Sequence, residues 1–312
     1  QVIFSPSATD CYYFGFAVSL HQNTLMITAL NASGPNTGDY EGRVHVYEKI
    51  NGIFNPVAVL SPNDNYPGAF YGCAVSVYGG YALVGAKQDK GTPVATNAGS
   101  AYLYGLQNGQ WTQLSKIYAP TRSTSSNFGS DVSLFKTTGV IGSKKGPSGN
   151  KLDGIFYVYE FVGNTTVVPT QVISPDAVGT NPYQSFGESV CIYDDTIIAV
   201  AGGFDLPGKP DVGAAYIFKK DGSGVWNNVA RIVDPTALDN ERLGTQSRPS
   251  CGDNTFAVGA PKKCNNDPND PDNCASNTGT ALVFSDQSVP APNPAETSAT
   301  ASSSNTGFSA VS

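Results

Sequence analysis

The sequence predicts an all-β fold: a five-bladed β-propeller of four-stranded blades over residues 1–285, closed by the N-terminal strand, with an irregular C-terminal tail over residues 286–312. Three observations carry the prediction. The composition suits short strands and tight turns. Three signatures recur in step, the first with its glycine at spacings of 57 or 58 residues. Counting them yields five sets of four strands.

The 312 residues include 34 glycines, 21 prolines, 16 tyrosines and 15 phenylalanines, while charged residues make up only 14%. Aromatic residues fit pleated surfaces, and glycine and proline punctuate turns. A hydrophobic content of 40% is enough for a sizeable core. No stretch sustains a helical apolar period, so helix is not expected. No apolar run approaches the roughly 18 residues of a membrane span. The net charge of −7, without a basic stripe, argues against nucleic acid as a partner.

The first signature is an aromatic-glycine pair opening strand A of each unit. Its glycine stands at Gly15, Gly72, Gly129, Gly187 and, after Leu243, Gly244. Strand B follows, with endings such as "VGA". The second signature, strand C, runs from a glycine to an aromatic residue: "GRVHVY", "GSAYLY", "GIFYVY", "GAAYIF" and "GTALVF". The third, strand D, is apolar and ends in proline: "VIFSP", "AVLSP", "KIYAP", "QVISP" and "RIVDP". Three signatures in step mark a repeat architecture, and four strands per period fit a propeller blade. Proline donates no ladder hydrogen bond, so it suits the exit of an outer strand.

The tally also sets how the ring closes. The first strand D precedes the first strand A, and none follows the last strand C. Residues 2–4 are therefore expected to pair with residues 280–284 and remove an exposed edge. A piece of a larger ring is the rival reading.

These motifs resemble the FG-GAP repeats of integrin α-subunit propellers. The residues that carry the resemblance are Phe14-Gly15, Tyr71-Gly72, Phe128-Gly129 and Phe186-Gly187, with "VGA" at 84–86 and "VGAP" at 258–261. The resemblance implies a propeller; family members include adhesion receptors, lectin-like proteins and enzyme-associated domains, so it does not select a function. Two departures stand out. Integrin-type rings have seven repeats, against five here. The family's calcium loops between strands A and B are replaced by "HQN", "YGG", "FKTTG", "YDD" and "CGDN".

No catalytic motif is present, and the expectation is a non-enzyme. The two histidines, His21 and His45, belong to no ligand or triad pattern. A glycosidase-like carboxylate pair among the 25 acidic residues is a third functional class, because its geometry does not show in sequence. Between strands B and C of the fifth unit lies "CNNDPNDPDNC". Asp267, Asn269, Asp270 and Asp272 offer hard oxygen ligands at calcium-like spacing. Two readings stay open: a disulfide-closed polar loop, or a Ca2+ site.

Starting at Gln1, with six cysteines and one methionine, the chain is expected to be processed, secreted and oxidised. The expected disulfides are Cys264–Cys274, which closes one loop, and Cys11–Cys73 and Cys191–Cys251, which link neighbouring blades. Six cysteines allow 15 connectivities, so other pairings stay open. Asn31 and Asn164 head N-glycosylation sequons.

The tail is rich in Ser, Thr, Ala and Pro and resembles an O-glycosylated stalk. Thr297, Ser298, Thr300 and Ser302 are O-glycosylation candidates, and Pro290 and Pro292 sit in a segment similar to hydroxyproline-glycan sequences. Its apolar end includes Phe308 and Val311, expected to contact an adjacent copy. The leading expectation is a secreted structural glycoprotein whose propellers assemble head to tail, through this tail, into a polymer or fibril. Its partners are then copies of itself, with glycans or other extracellular proteins as further candidates. The alternative is a cell-surface adhesion or carbohydrate-binding propeller.

Overall fold

The structure, a computed structural model, describes residues 1–6, 13–30, 32, 41–64, 67–90, 96–146, 154–161, 168–174, 185–234, 237, 242–245, 248–252, 255–260, 280–286, 298–300 and 308–310. Among these residues there are strands and turns and no helix. The fold is an all-β propeller of five blades. The first blade comprises β1 (Phe14–His21), β2 (Thr24–Ala29), β3 (Arg43–Ile50) and β4 (Ile53–Leu60). The second comprises β5 (Tyr71–Tyr78), β6 (Tyr81–Ala86), β7 (Ser100–Gln107) and β8 (Gln110–Ile117). The third comprises β9 (Phe128–Phe135), β10 (Thr138–Ser143), β11 (Ile155–Glu160) and the short β12 (Gln171–Ile173). The fourth comprises β13 (Phe186–Tyr193), β14 (Thr196–Ala201), β15 (Ala214–Lys220) and β16 (Trp226–Val233). The last begins with β17 (Ser250–Gly252), β18 (Thr255–Ala260) and β19 (Thr280–Asp286). Within each blade, sequential strands are neighbours.

Local chemistry explains the hairpins. Strands A and B of the first four blades are joined by two residues: Gln22-Asn23, Gly79-Gly80, Lys136-Thr137 and Asp194-Asp195. The first residue of each has a φ between +49° and +56°. Left-handed backbone there matches the twist of the flanking strands. Two residues are too few for a calcium loop, so the sequence departure noted above has a direct backbone counterpart.

The chain forms two compact units, residues 1–150 with 157–172, and residues 151–156 with 173–312. In the first, Ala17, Met26, Val44 and Val46 of the first blade pack with Tyr71, Val75, Val77 and Val84 of the second. In the second, Ile198, Val200 and Ile217 pack with Leu243, Phe256, Val258 and Phe284. Each such side chain contributes roughly 1.5–3 kcal/mol on burial. These cores face from blade to blade.

Recurrent glycines set that approach. Gly99 forms a parallel bridge to Phe128, where the next blade begins. Gly99 has φ +84°, and a Cβ there would strike the Phe128 backbone carbonyl and nitrogen. Gly154 and Phe186 repeat the arrangement.

The N-terminus does not close the last blade. Residues 1–6 form no strand. The Gln1 amide donates to the Phe54 carbonyl at 2.9 Å and accepts from the Phe54 N–H at 2.8 Å. Ile3 packs against the cluster of Leu25, Ile27 and Tyr47. The fourth strand beside β19 is instead β21 (Phe308–Ala310), with Phe284 opposite Ala310 and Asp286 opposite Phe308. The proline-ended segment resembled a strand D, but a neighbouring apolar face captured its side chain, and the tail supplied backbone partners for β19.

Candidate functional site

A group of charged side chains meets at one end of the second blade. Lys116, near the end of β8, places Nζ 2.6 Å from Asp64 Oδ2 and 2.7 Å from Asp89 Oδ2. Asp64 belongs to the loop entering β5, and Asp89 to the loop leaving β6. Ser100 Oγ donates to Asp89 at 2.7 Å. The Tyr102 hydroxyl donates to Asp64 at 3.3 Å, while its ring lies 5.1 Å beneath the ammonium. Burial alone would lower the Lys116 pKa; Tyr102, Asp64 and Asp89 outweigh it and hold it above the ordinary lysine value. Burial, followed by the Asp89 charge, holds the Tyr102 hydroxyl protonated well above its usual range.

One ammonium thus ties two loops to one strand. Both carboxylates share the same cation, an arrangement that joins loops rather than assigning a separate acid and base role to each. The residues went unnoticed in the sequence. Their signal lies in the cross-strand register, where Lys116 pairs with Tyr102 at the position that Val59 takes beside His45 in the first blade. Lys116→Met will lower stability by about 2–3 kcal/mol, because Asp89 keeps its burial and loses its countercharge. A raised lysine pKa contributes stability that is complete below the unfolded value and is lost as pH rises through the folded one. The difference between Lys116→Met and the parent, read by urea unfolding, will therefore stay constant from about pH 6 to about pH 9 and shrink only at strongly alkaline pH.

The two histidines serve packing. His21 closes β1, accepts a hydrogen bond from the Gly79 N–H at Nδ1 (3.0 Å) and packs tilted against Tyr78, with ring centroids 4.1 Å apart. Tyr78 in turn meets Phe135 at 4.9 Å. Ser19 and Ser76 accept from the N–H groups of Val77 and Leu134 at 3.0 and 2.9 Å, linking successive inner strands. His45 is buried on β3 and lies edge-on to Phe14 at 5.5 Å.

A disulfide joins Cys191 of β13 to Cys251 of β17, with Cα atoms 5.9 Å apart. Cys73 belongs to β5. Its buried thiol donates to the Gly129 carbonyl at 3.3 Å, so the side chain points into the contact with the third blade. Cys11, the expected partner of Cys73, lies outside the described residues. Cys11, Cys264, Cys274, Asn31, Asn164, Asp267, Asn269, Asp270, Asp272, Pro290, Pro292, Thr297, Ser302 and Val311 lie outside the described residues.

The tail returns to the blades as two short strands. β20 (Ser298–Thr300) runs parallel to β16, with Arg231 opposite Ser298 and Val233 opposite Thr300. β21, which holds Phe308, runs antiparallel to β19. Both use the outer edge of a blade, where backbone donors and acceptors await partners.

With this geometry in view, the sequence matches the FG-GAP repeat model at residues 54–104, from β4 through the whole of β5 and β6 into β7. Among curated proteins none matches the sequence. Among solved structures, the periplasmic gluconolactonase PpgL of Pseudomonas aeruginosa is similar at 12% identity, covering 86% of this chain and 80% of that one, with a TM-score of 0.41.

Proposed function

We propose that this chain, a five-bladed β-propeller carrying FG-GAP repeats, is a secreted structural glycoprotein that assembles head to tail through its C-terminal tail. The observation that carries the reading is the pairing of Ser298–Thr300 and Phe308–Ala310 with blade edges. Strand addition draws its affinity from backbone hydrogen bonds, so the same segment suits the same edge on a neighbouring copy. Exchange of an identical element between copies is an economical route to assembly, and an exchange that does not close becomes a filament. The Cys191–Cys251 disulfide fits an oxidising compartment, and among the described residues no helix is long and apolar enough to cross a membrane. Glycans on Asn31, Asn164 and the tail hydroxyls would coat the fibre and limit sideways aggregation.

Truncation after Ser285 tests the reading by electron microscopy and sedimentation. The truncated chain is expected to remain folded and to yield no polymer. Identical fibres from the truncated chain would reject the tail as the linking element.

A further inference from the structure

We propose that His21 is an acid-sensitive latch between the first two blades: when its imidazole gains a proton at Nδ1, the turn after β5 loses its hold on the end of β1. The inference is independent of how copies assemble. Every group it uses belongs to the first compact unit.

The latch is one hydrogen bond of fixed direction. The Gly79 N–H donates to His21 Nδ1 at 3.0 Å. A backbone N–H can only donate, so Nδ1 must carry a lone pair, and the neutral ring bears its proton on Nε2. Protonation at Nδ1 sets two donors against each other. The ring is half-buried, so protons reach it from solvent. Gly79 opens the two-residue turn between β5 and β6.

The repeat shows what is particular to this joint. His21, Tyr78, Phe135 and Tyr193 each end the first strand of their blade. Tyr78 therefore takes the place of His21 at the next joint, where it meets Phe135 ring to ring at 4.9 Å. Both joints also have a serine acceptor: Ser19 for the Val77 N–H at 3.0 Å, and Ser76 for the Leu134 N–H at 2.9 Å. A serine hydroxyl accepts at any ordinary pH. An imidazole stops accepting within the weakly acidic range where histidines ordinarily titrate. Acid thus acts on the first joint at Gly79 and spares the serine bonds of both.

The groups around the ring decide what happens to it. β1 packs against β2 and β5. From β5, Tyr78 faces the imidazole, with ring centroids 4.1 Å apart, and Tyr81 pairs with Tyr78 across the turn. From β2, Thr24 lies opposite His21 and donates to Glu48 of β3 at 2.7 Å. Lys136 stands one blade further on, with its ammonium 4.8 Å from the Phe135 ring. A cation is attracted to an aromatic face, so the imidazolium keeps its place against Tyr78. What it loses is the bond to Gly79. The opening is local, confined to the turn.

Amide hydrogen exchange and NMR on the full chain test this, with exchange expressed as protection relative to the intrinsic rate at each pH. The His21 ring signals and the Gly79 amide shift are expected to move with one common midpoint. Protection at Gly79 is expected to fall about tenfold from about pH 8 to about pH 5, while Val77 and Leu134 keep theirs. His21→Phe places there the residue that the third blade carries at this position. In that variant Gly79 is expected to be poorly protected at both pH values and its shift to show no midpoint. Protection at Gly79 that stays level while the His21 ring titrates overturns the proposal. So does a His21 ring that takes no proton down to about pH 5, or an equal fall with pH in His21→Phe. Protection lost at Val77 and Leu134 together with Gly79 marks general acid unfolding and overturns it as well.

Discussion

Replacing Gly99 with valine will cost at least about 4 kcal/mol and leave little folded protein, because two penalties fall on one atom. The residue has φ +84°, a region that β-branched side chains avoid, and the new Cβ would meet the Phe128 backbone. Backbone cannot rotate aside as a flexible side chain can. The Gly99 N–H also donates to the Asp89 carbonyl at 2.9 Å, and the Phe128 N–H to the Ala98 carbonyl at 2.9 Å. A shift that relieves the clash would therefore loosen the loop held by Lys116. Gly109 is the control. It has φ +78° with nothing within 4 Å of its added Cβ, so Gly109→Ala will cost only about 1–2 kcal/mol. Equilibrium urea unfolding of the two variants measures the difference, and equal losses would show that interblade approach is not what Gly99 secures.

Removing the Cys191–Cys251 disulfide by double serine substitution will cost about 4 kcal/mol, the value the chain-entropy relation assigns to a separation of 60 residues. The loss will concentrate in the last blade. β17 has only three residues and three cross-strand pairs with β18, so backbone pairing alone holds it weakly. Hydrogen exchange is expected to rise over residues 250–260 while residues 71–86 keep their protection. A loss below about 1 kcal/mol, or exchange that rises evenly, would show that apolar packing holds β17 without the bridge.

Much of this architecture was legible before any coordinates. Phe14-Gly15 and its repeats place each inner strand because an aromatic side chain fills the contact between blades and the following glycine accepts positive φ. The second strand-C glycines, such as Gly99, mark close backbone approach because no other residue fits there. Such signals are local, and repetition made them readable. The segment "VIFSP" misled for the same reason. Its pattern was that of a strand D, yet pairing depends on which edge the chain reaches, and the Gln1 amide reached Phe54.

Lys116 shows the complementary limit. Asp64, Asp89 and Lys116 are separated by 25 and 27 residues in sequence, and no short motif contains them. Cys73 is similar: no local motif foretells that its side chain meets the Gly129 carbonyl of the next blade. By itself, the sequence determined the all-β class, the blade period and the inner-strand positions, because those depend on residue type and backbone conformation within one repeat. Only the tertiary structure decided which strand edges are filled and which cations clamp which loops, because these depend on what distant segments bring alongside.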